Sequence, residues 1–371
     1  MRIAQLANFV GPRSGGMKTA LEALGAGYAE AGCERLLVVP GETDRRYDGP
    51  HGPVVEVRAP RVGGGYRLIL EPWRVIDILE SWAPTSLELS DKFTLVPVTW
   101  WARRNGVGTV LFSHERLDDQ VTLRTGLETT TKVSIGLLNR ILVRSFDNVV
   151  VTSHYARREF QRLADAAGTP MTKIPLGVDL DLFRRRPHVP SDVLRLIHVG
   201  RLSPEKSPQL AVGTAVELHR RGLPVHLDVY GEGPMLDELL AMSAGVPVTF
   251  RGHLGDRVEL ARRIAEADVS LSCCPAETFG LAVLEALASG TPVITADRGG
   301  ARELVDRWSG AWGAPLPAAL ADAVLAVAAR PVDQRRAAAR ARAEQFPWSA
   351  SVEQLLGLHA RISGREAVLT A

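Results

Sequence analysis

The sequence predicts an α/β protein with two doubly wound parallel sheets in one chain, and three observations carry that prediction. The chain has 371 residues, more than one core of ordinary size holds and enough for two domains of roughly 150–200 residues each. Both halves alternate short apolar strands with helical patterns, as parallel strands joined by crossover helices do. The alternation stops over residues 175–190, a stretch rich in Pro, Asp and Arg, and then begins again.

Each element follows from its pattern. In the first half, 2–9 reads as a strand and 16–31 as a helix, with Met17, Ala20, Leu21 and Leu24 on one face. Strands are expected over 35–39, 54–57, 87–89, 109–112 and 148–152, and helices over 73–82 and 134–143. In the second half, strands are expected over 194–199, 226–230, 248–250, 268–272 and 292–295, with helices over 208–221, 256–266 and 280–289 between them. Alanine- and arginine-rich helices fill 316–345, and a last helix follows Pro347 from about Ser349. The division is a domain over 1–175, a linker over 176–190, a domain over 191–346, and a final helix over 347–371. Open α/β sheets bind ligands beyond the carboxyl ends of their strands, so the loops there carry the candidate site.

Composition narrows the partners. Lysine and arginine total 44 against 42 acidic residues, a net charge of +2, so no global field points to nucleic acid. Apolar residues make up 46% and charged residues 23%, an ordinary globular balance. The three cysteines, Cys33, Cys273 and Cys274, form neither a disulfide framework nor a zinc-ligand set, which fits a reducing cytoplasm. The opening residues read as a buried strand running into a turn rather than a signal peptide. No stretch approaches the roughly 20 apolar residues of a membrane span, so any membrane contact is expected to be peripheral.

Four motifs fall at strand ends. Glu277 lies in the loop before the helix over 280–289, and Glu285 lies on that helix. Between them the backbone N–H groups of Phe279, Gly280 and Leu281 open the helix, where unpaired donors and the dipole favour an anion. Carboxylates flanking an anion site suit a sugar–diphosphate–nucleoside, whose sugar and ribose hydroxyls they can accept. The competing reading is a helix-start acid plus a solvated one. Arg201 and Lys206 follow the strand over 194–199, and two cations in one loop suit a diphosphate, although basic loop residues are more often simply solvated. Gly15 and Gly16 close a glycine-rich turn after the first strand, which lets a substrate approach the backbone or is an ordinary tight turn. His114, in Ser113-His114-Glu115, ends the strand over 109–112 and faces a ligand or is structural. Two further patterns carry less. Gly231-Glu232-Gly233-Pro234 lacks a dinucleotide fingerprint, and Asp179 with Asp181 reads as a turn or helix cap rather than a metal pair.

Taken in order, Gly15-Gly16, Leu176-Gly177-Val178-Asp179, Gly200-Arg201 to Lys206, Gly231 to Pro234, Glu277 to Glu285, Ala288 to Ile294 and Gly299 to Glu303 span nearly the whole chain. This ordered set resembles the family-four retaining glycosyltransferases, whose GT-B fold sets two Rossmann-like domains facing a central cleft. The resemblance implies that Glu277 binds the donor sugar and Glu285 the ribose. It implies that Arg201 and Lys206 hold the diphosphate, and that Phe279, Gly280 and Leu281 add backbone contacts. Gly15 and Gly16 would lie against diphosphate and acceptor, and His114 near the donor sugar, so that Glu277, His114, Arg201 and Lys206 form the catalytic set. No metal and no cofactor is expected. With no buried carboxylate nucleophile evident, front-face displacement follows, in which the leaving phosphate oxygen helps deprotonate the acceptor.

The stretch 277–304 is similar to bacterial GDP-mannose-dependent mannosyltransferases, and UDP-sugar users of the family look nearly the same there. A nucleotide-diphosphate sugar donor and a glycan, glycolipid or small-molecule acceptor are the expected partners. The segment 132–144 sets Lys132, Arg140 and Arg144 beside Ile135, Leu137, Leu138, Ile141 and Leu142. Such a basic amphipathic helix suits an anionic membrane surface on the inner face of the cell membrane, or core on one side and solvent on the other. An epimerase or phosphorylase of the same fold, and a non-catalytic sugar-nucleotide binder, are the competing classes.

Overall fold

The structure is a computed structural model that describes residues 1–8, 15–62, 66–113 and 128–364, with the backbone alone over 128–134. The chain folds into two compact units. The first holds the described residues up to 113, those from Thr129 to Leu176, and the returning segment from Trp348; the second holds Gly177–Pro347.

The sheet of the first unit has eight strands: β1 (Arg2–Leu6), β2 (Glu34–Gly41), β3 (Arg45–Gly49), β4 (Gly52–Arg58), β5 (Ser86–Leu89), β6 (Gly108–Ser113), β7 (Asn148–Val151) and β8 (Met171–Lys173). Their order is β3-β4-β2-β1-β5-β6-β7-β8, so the winding reverses between β1 and β5. All pairs are parallel except β3 with β4. Alternate residues of β2 sort to opposite faces. Leu36 and Val38 join one apolar cluster, and Leu37 and Val39 a second, as the two-residue period of a strand requires. The first cluster packs against α2 (Pro72–Trp82), α3 (Val98–Arg104) and α4 (Glu128–Ser145) through Leu79, Trp82, Val98, Ala102, Leu142 and Val143. The second takes Leu21 from α1 (Gly16–Glu30). Two short helices, α5 (His154–Arg157) and α6 (Gln161–Ala167), lead into β8.

A buried polar network sits in this unit. Glu88 on β5 is 1% exposed, and its carboxylate accepts from Gln5 Nε2 at 2.9 Å and Tyr28 Oη at 2.7 Å. His359 Nε2 lies 3.3 Å from the same carboxylate, and His359 Nδ1 lies 2.5 Å from Ser86 Oγ. Burial acts to raise the Glu88 pKa, but the His359, Tyr28 and Gln5 contacts outweigh it and hold the carboxyl below its ordinary value. Burial, then Glu88, pushes the Tyr28 phenol well up.

The sheet of the second unit is wholly parallel: β9 (Leu194–Val199), β10 (Val225–Tyr230), β11 (Val248–Gly252), β12 (Val269–Ser272), β13 (Val293–Ala296) and β14 (Gly310–Gly313). Its order, β11-β10-β9-β12-β13-β14, reverses between β9 and β12. The helices are α7 (Pro208–Arg220), α8 (Leu236–Met242), α9 (Arg257–Glu266), α10 (Leu281–Ala288), α11 (Ala301–Leu304), α12 (Pro317–Ala328) and α13 (Val332–Ala343). Leu196, Leu227, Val269, Leu271 and Ile294 form the strand side of a core closed by Val212 and Leu218 of α7 and Leu320, Val324 and Val327 of α12. The last described helix, α14 (Trp348–Ile362), belongs to the first unit and packs on α1, where a Cβ at Gly27 would collide with Val352.

The expected class, α/β with two doubly wound parallel sheets, is what the chain forms. Several elements are additional. The edge strand β3 has sequence RRYDG and no apolar alternation; it is held by main-chain pairing and by Arg45 Nη2 to Glu56 at 3.3 Å. Strands β8 and β14 and helix α3 are three, four and seven residues long, too short for periodicity to register. Strand β1 ends at Leu6 rather than Phe9, which lies outside the described residues. The stretch after Gly177 is packed: Phe183 is fully buried, and Asp179 Oδ1 accepts from the N–H groups of Asp181 and Leu182 at 3.1 and 2.9 Å. That is the cap reading of Asp179, with Asp181 in the turn it closes.

Candidate active site

Two loops of the second unit leave its sheet at the reversal between β9 and β12. The first follows β9 and holds Gly200, Arg201 and a 3-10 turn, Pro204–Lys206. Its backbone is clamped to the loop after β10: Gly200 N–H donates to the Tyr230 carbonyl at 3.0 Å and Leu202 N–H to the Glu232 carbonyl at 2.9 Å. Any Cβ at Gly231, where φ is 147°, or at Gly233 would run into the carbonyls of Gly200 and Leu202. The glycines of Gly231-Glu232-Gly233 are therefore explained by the close approach of two loops.

The second loop follows β12 and carries Cys274, Glu277, Thr278 and Phe279 into Gly280, whose φ of 104° turns the chain into α10. It too is fixed from behind. Gly300 N–H donates to the Glu277 carbonyl at 2.6 Å, and a Cβ at Gly299 would sit 2.8 Å from the Pro275 carbonyl oxygen.

These loops meet through charge. Lys206 Nζ donates to Glu277 Oε2 at 2.8 Å, with the two side chains 32% and 22% exposed. Burial acts to lower the Lys206 pKa, but Glu277 overcomes it and the net shift is upward, so the ammonium is kept. Arg201 Nη2 lies 3.5 Å from Glu205 Oε1. Cys274 Sγ donates to the Glu205 carbonyl at 3.1 Å, and burial, then Glu277, pushes its thiol to about 11. Burial lifts Cys273 well above its ordinary range. Both sulfurs are thus neutral packing groups rather than nucleophiles.

Glu285 lies on the second turn of α10 and is 8% exposed. Its Oε1 accepts from Arg257 Nη2 at 2.8 Å. Arg257 and Glu205 contact the expected residues, and the sequence did not reveal either. Arg257 opens α9, 28 positions before Glu285, and nothing in local spacing links them; the contact exists because α9 packs on α10. Phe279 is buried, while Gly280 and Leu281 are half-buried at the helix start.

The expected residues divide by unit. Arg201, Lys206, Glu277, Phe279, Gly280, Leu281 and Glu285 lie in the second unit. Gly15 and Gly16 belong to the first, where Gly15 precedes α1 and has open space at its Cβ position. His114 falls outside the described residues, one position past the end of β6.

Comparison with known proteins bears on the family and the fold. Residues 194–330 match the model for "Glycosyl transferases group 1", and residues 15–177 that for the "Glycosyl transferase 4-like domain". The chain is 39% identical over 369 residues to the GDP-mannose-dependent alpha-(1-6)-phosphatidylinositol dimannoside mannosyltransferase of Mycobacterium tuberculosis, covering 96% of this chain and 95% of that protein. It is 35% identical over 226 residues to the D-inositol 3-phosphate glycosyltransferase of Geodermatophilus obscurus, covering 54% of this chain and 50% of that one. Among solved structures, sucrose-phosphate synthase from Thermosynechococcus elongatus superposes with a TM-score of 0.80 at 21% identity, over 98% of this chain and 99% of that one. Anabaena HepE in complex with UDP-glucose superposes with a TM-score of 0.76 at 19% identity, over 97% of this chain and all of that one. With two parallel-sheet Rossmann-like units and a relative matched along almost its whole length, the chain belongs to the group 1 (family-four) glycosyltransferases of GT-B fold.

Proposed function

We propose that this glycosyltransferase moves mannose from GDP-mannose to a hydroxyl of a phosphatidylinositol mannoside, with retention of configuration and without a metal ion. The observation that carries the reading is the Lys206–Glu277 pair at the sheet reversal, 2.8 Å apart, with Arg201 on the same loop. It sets cations for a diphosphate against a carboxylate for sugar hydroxyls. The GDP-mannose donor and the lipid acceptor are those of the Mycobacterium tuberculosis relative.

The acceptor oxygen attacks the anomeric carbon from the side on which the diphosphate leaves. The bond from that carbon to the β-phosphate oxygen breaks, and the acceptor proton passes to a leaving phosphate oxygen. Arg201 and Lys206 neutralise the charge that grows on the diphosphate, the task a divalent ion has in other transferases. Glu277 accepts from hydroxyls of the mannose, Glu285 from the ribose, and the N–H groups at the start of α10 face the phosphates. By the family resemblance, Gly15 and Gly16 serve the diphosphate and the acceptor, and His114 the donor sugar.

A lipid acceptor calls for a surface that meets the membrane. Trp100, Leu137 and Ile141 are exposed on α3 and α4, beside exposed Arg103, Arg104, Arg140 and Arg144. Arg103 Nη2 donates to the Arg144 carbonyl at 3.0 Å, which joins the ends of the two helices. Exposed apolar side chains and arginines on the same two helices suit an anionic leaflet.

The test is transfer of labelled mannose to phosphatidylinositol mannosides in excess EDTA, with anomeric configuration read by NMR. Label in lipid, α-linked, with GDP-mannose but not UDP-glucose is the expected result. Activity lost in EDTA and restored by magnesium or manganese would refute the metal-independent mechanism, and transfer from a UDP-sugar alone would refute the donor.

A further inference from the structure

Glu285 presents a problem that Arg257 answers. A carboxylate that is 8% exposed is costly to keep ionised unless it is paired. The pairing observed is asymmetric: Arg257 Nη2 binds Oε1 at 2.8 Å, and Oε2 has no hydrogen bond among the described residues.

Arg257 is itself held in place. It is the first residue of α9, whose start is fixed by Asp256 Oδ1 accepting from Val258 N–H at 2.9 Å and Glu259 N–H at 3.2 Å. Its guanidinium stands over the ring of Phe183, 5.2 Å from the centroid, and Phe183 is fully buried. The helix start and the ring both restrict the guanidinium, and a planar donor held this way orients the carboxylate it binds.

We infer that Arg257 is the positioning residue of the donor site, clamping Oε1 of Glu285 so that Oε2 is presented to the ribose hydroxyls of the nucleotide. The inference rests on the proposed reading of Glu285 as the ribose ligand and adds the residue through which that ligand is set. Arg257 acts through Glu285, so its contribution appears only with ligands that carry the ribose hydroxyls and vanishes when Glu285 is gone.

Calorimetric titration separates these outcomes. The ligands are GDP and 2′,3′-dideoxy-GDP, and the proteins are wild type, Arg257→Gln, Arg257→Lys, Glu285→Gln and the Arg257→Gln/Glu285→Gln double variant. Losing one charge-assisted bond weakens binding by at least about tenfold. Wild type is expected to prefer GDP by about that factor. Arg257→Gln should lose the preference while binding the dideoxy nucleotide as wild type does, and Arg257→Lys should recover part of it. The double variant should bind GDP as weakly as Glu285→Gln alone. Equal weakening of both nucleotides in Arg257→Gln would overturn the inference, as would an additive loss in the double variant. If wild type binds GDP without regard to the ribose hydroxyls, the inference falls and the GDP donor stands. If wild type binds UDP or ADP instead, the GDP donor falls, and the same comparison with that nucleotide and its dideoxy form decides the role of Arg257.

Discussion

Replacing Lys206 by alanine separates catalysis from stability. Its ammonium is 2.8 Å from Glu277, but the two side chains are 32% and 22% exposed. A pair this open to water contributes about 0–1 kcal/mol to folding. In a domain of this size that moves Tm by no more than about 4 °C. The effect on turnover should be far larger. On the proposed assignment the substitution removes a donor to charge that develops on the diphosphate, a loss worth about 2.7–4 kcal/mol in the transition state, or roughly 100–1000-fold in kcat. It also releases Glu277 from the Lys206 ammonium, bonded at 2.8 Å, so on the same assignment the sugar end is disturbed together with the phosphate end. The Lys206→Ala/Glu277→Ala double variant should therefore lose less than the product of the two single losses. Steady-state release of nucleoside diphosphate, with thermal melts of the same preparations, gives both quantities. Near-normal turnover in Lys206→Ala would sink the diphosphate assignment. A Tm drop of about 10 °C or more would show instead that the pair is structural.

The two glutamates should fail differently. Glu285→Ala is expected to weaken GDP binding by about tenfold or more, because the ribose is present in that ligand, while Glu277→Ala leaves GDP binding nearly intact and lowers turnover; equal weakening by calorimetry would show the division of labour to be wrong. Glu88→Ala leaves Gln5, Tyr28 and His359 without their shared acceptor and should cost about 3–5 kcal/mol in denaturant titration. Because the native Glu88 carboxyl is held below its ordinary value, its contribution to stability is complete above the unfolded value near pH 4.5 and is lost as the pH falls through the lower native value. Denaturation of wild type should therefore show an acid-side decline below about pH 4.5 that Glu88→Gln flattens, and parallel curves would refute this. Replacing Arg104, Arg140 and Arg144 by glutamate should abolish sedimentation with vesicles rich in anionic lipid and leave melting unchanged, whereas sedimentation equal to wild type would remove this face from the membrane.

The two parallel sheets were legible because their longer strands are apolar runs with helical patterns between them, whereas the strand order that places the reversals was not. Lys206 and Glu277 were each legible as strand-end residues, but their contact depends on β9 and β12 being neighbours, which no local pattern encodes. The resemblance supplied which end of the donor each would hold. Pairs formed between helices were not legible. Arg257 meets Glu285, and His359 meets Glu88, across sequence gaps with no periodic signature, because tertiary packing alone brings them together. Strand β3 was hidden for a different reason: its exposed, charged residues carry no burial pattern, and its pairing with β4 is set by the tight return at Gly49–Gly52, where a Cβ on Gly52 would strike the Arg35 carbonyl. The family signature Gly299-Gly300 was visible, but its cause, the backing of the Glu277 loop, was not.

The docking of α14 fixes an order of assembly during synthesis. All six strands of the second unit fall within residues 177–347, so that unit has all of its own strands as soon as residue 347 has cleared the ribosome. The first unit, although made first, still lacks the helix that brings His359 to Glu88 and covers Gly27. Until α14 is released, a buried carboxylate and a helix face stand open to water, and the nascent first unit is the part a chaperone would hold. Although domains usually mature from the N-terminus onward, in this chain the second unit can reach its native state before the first.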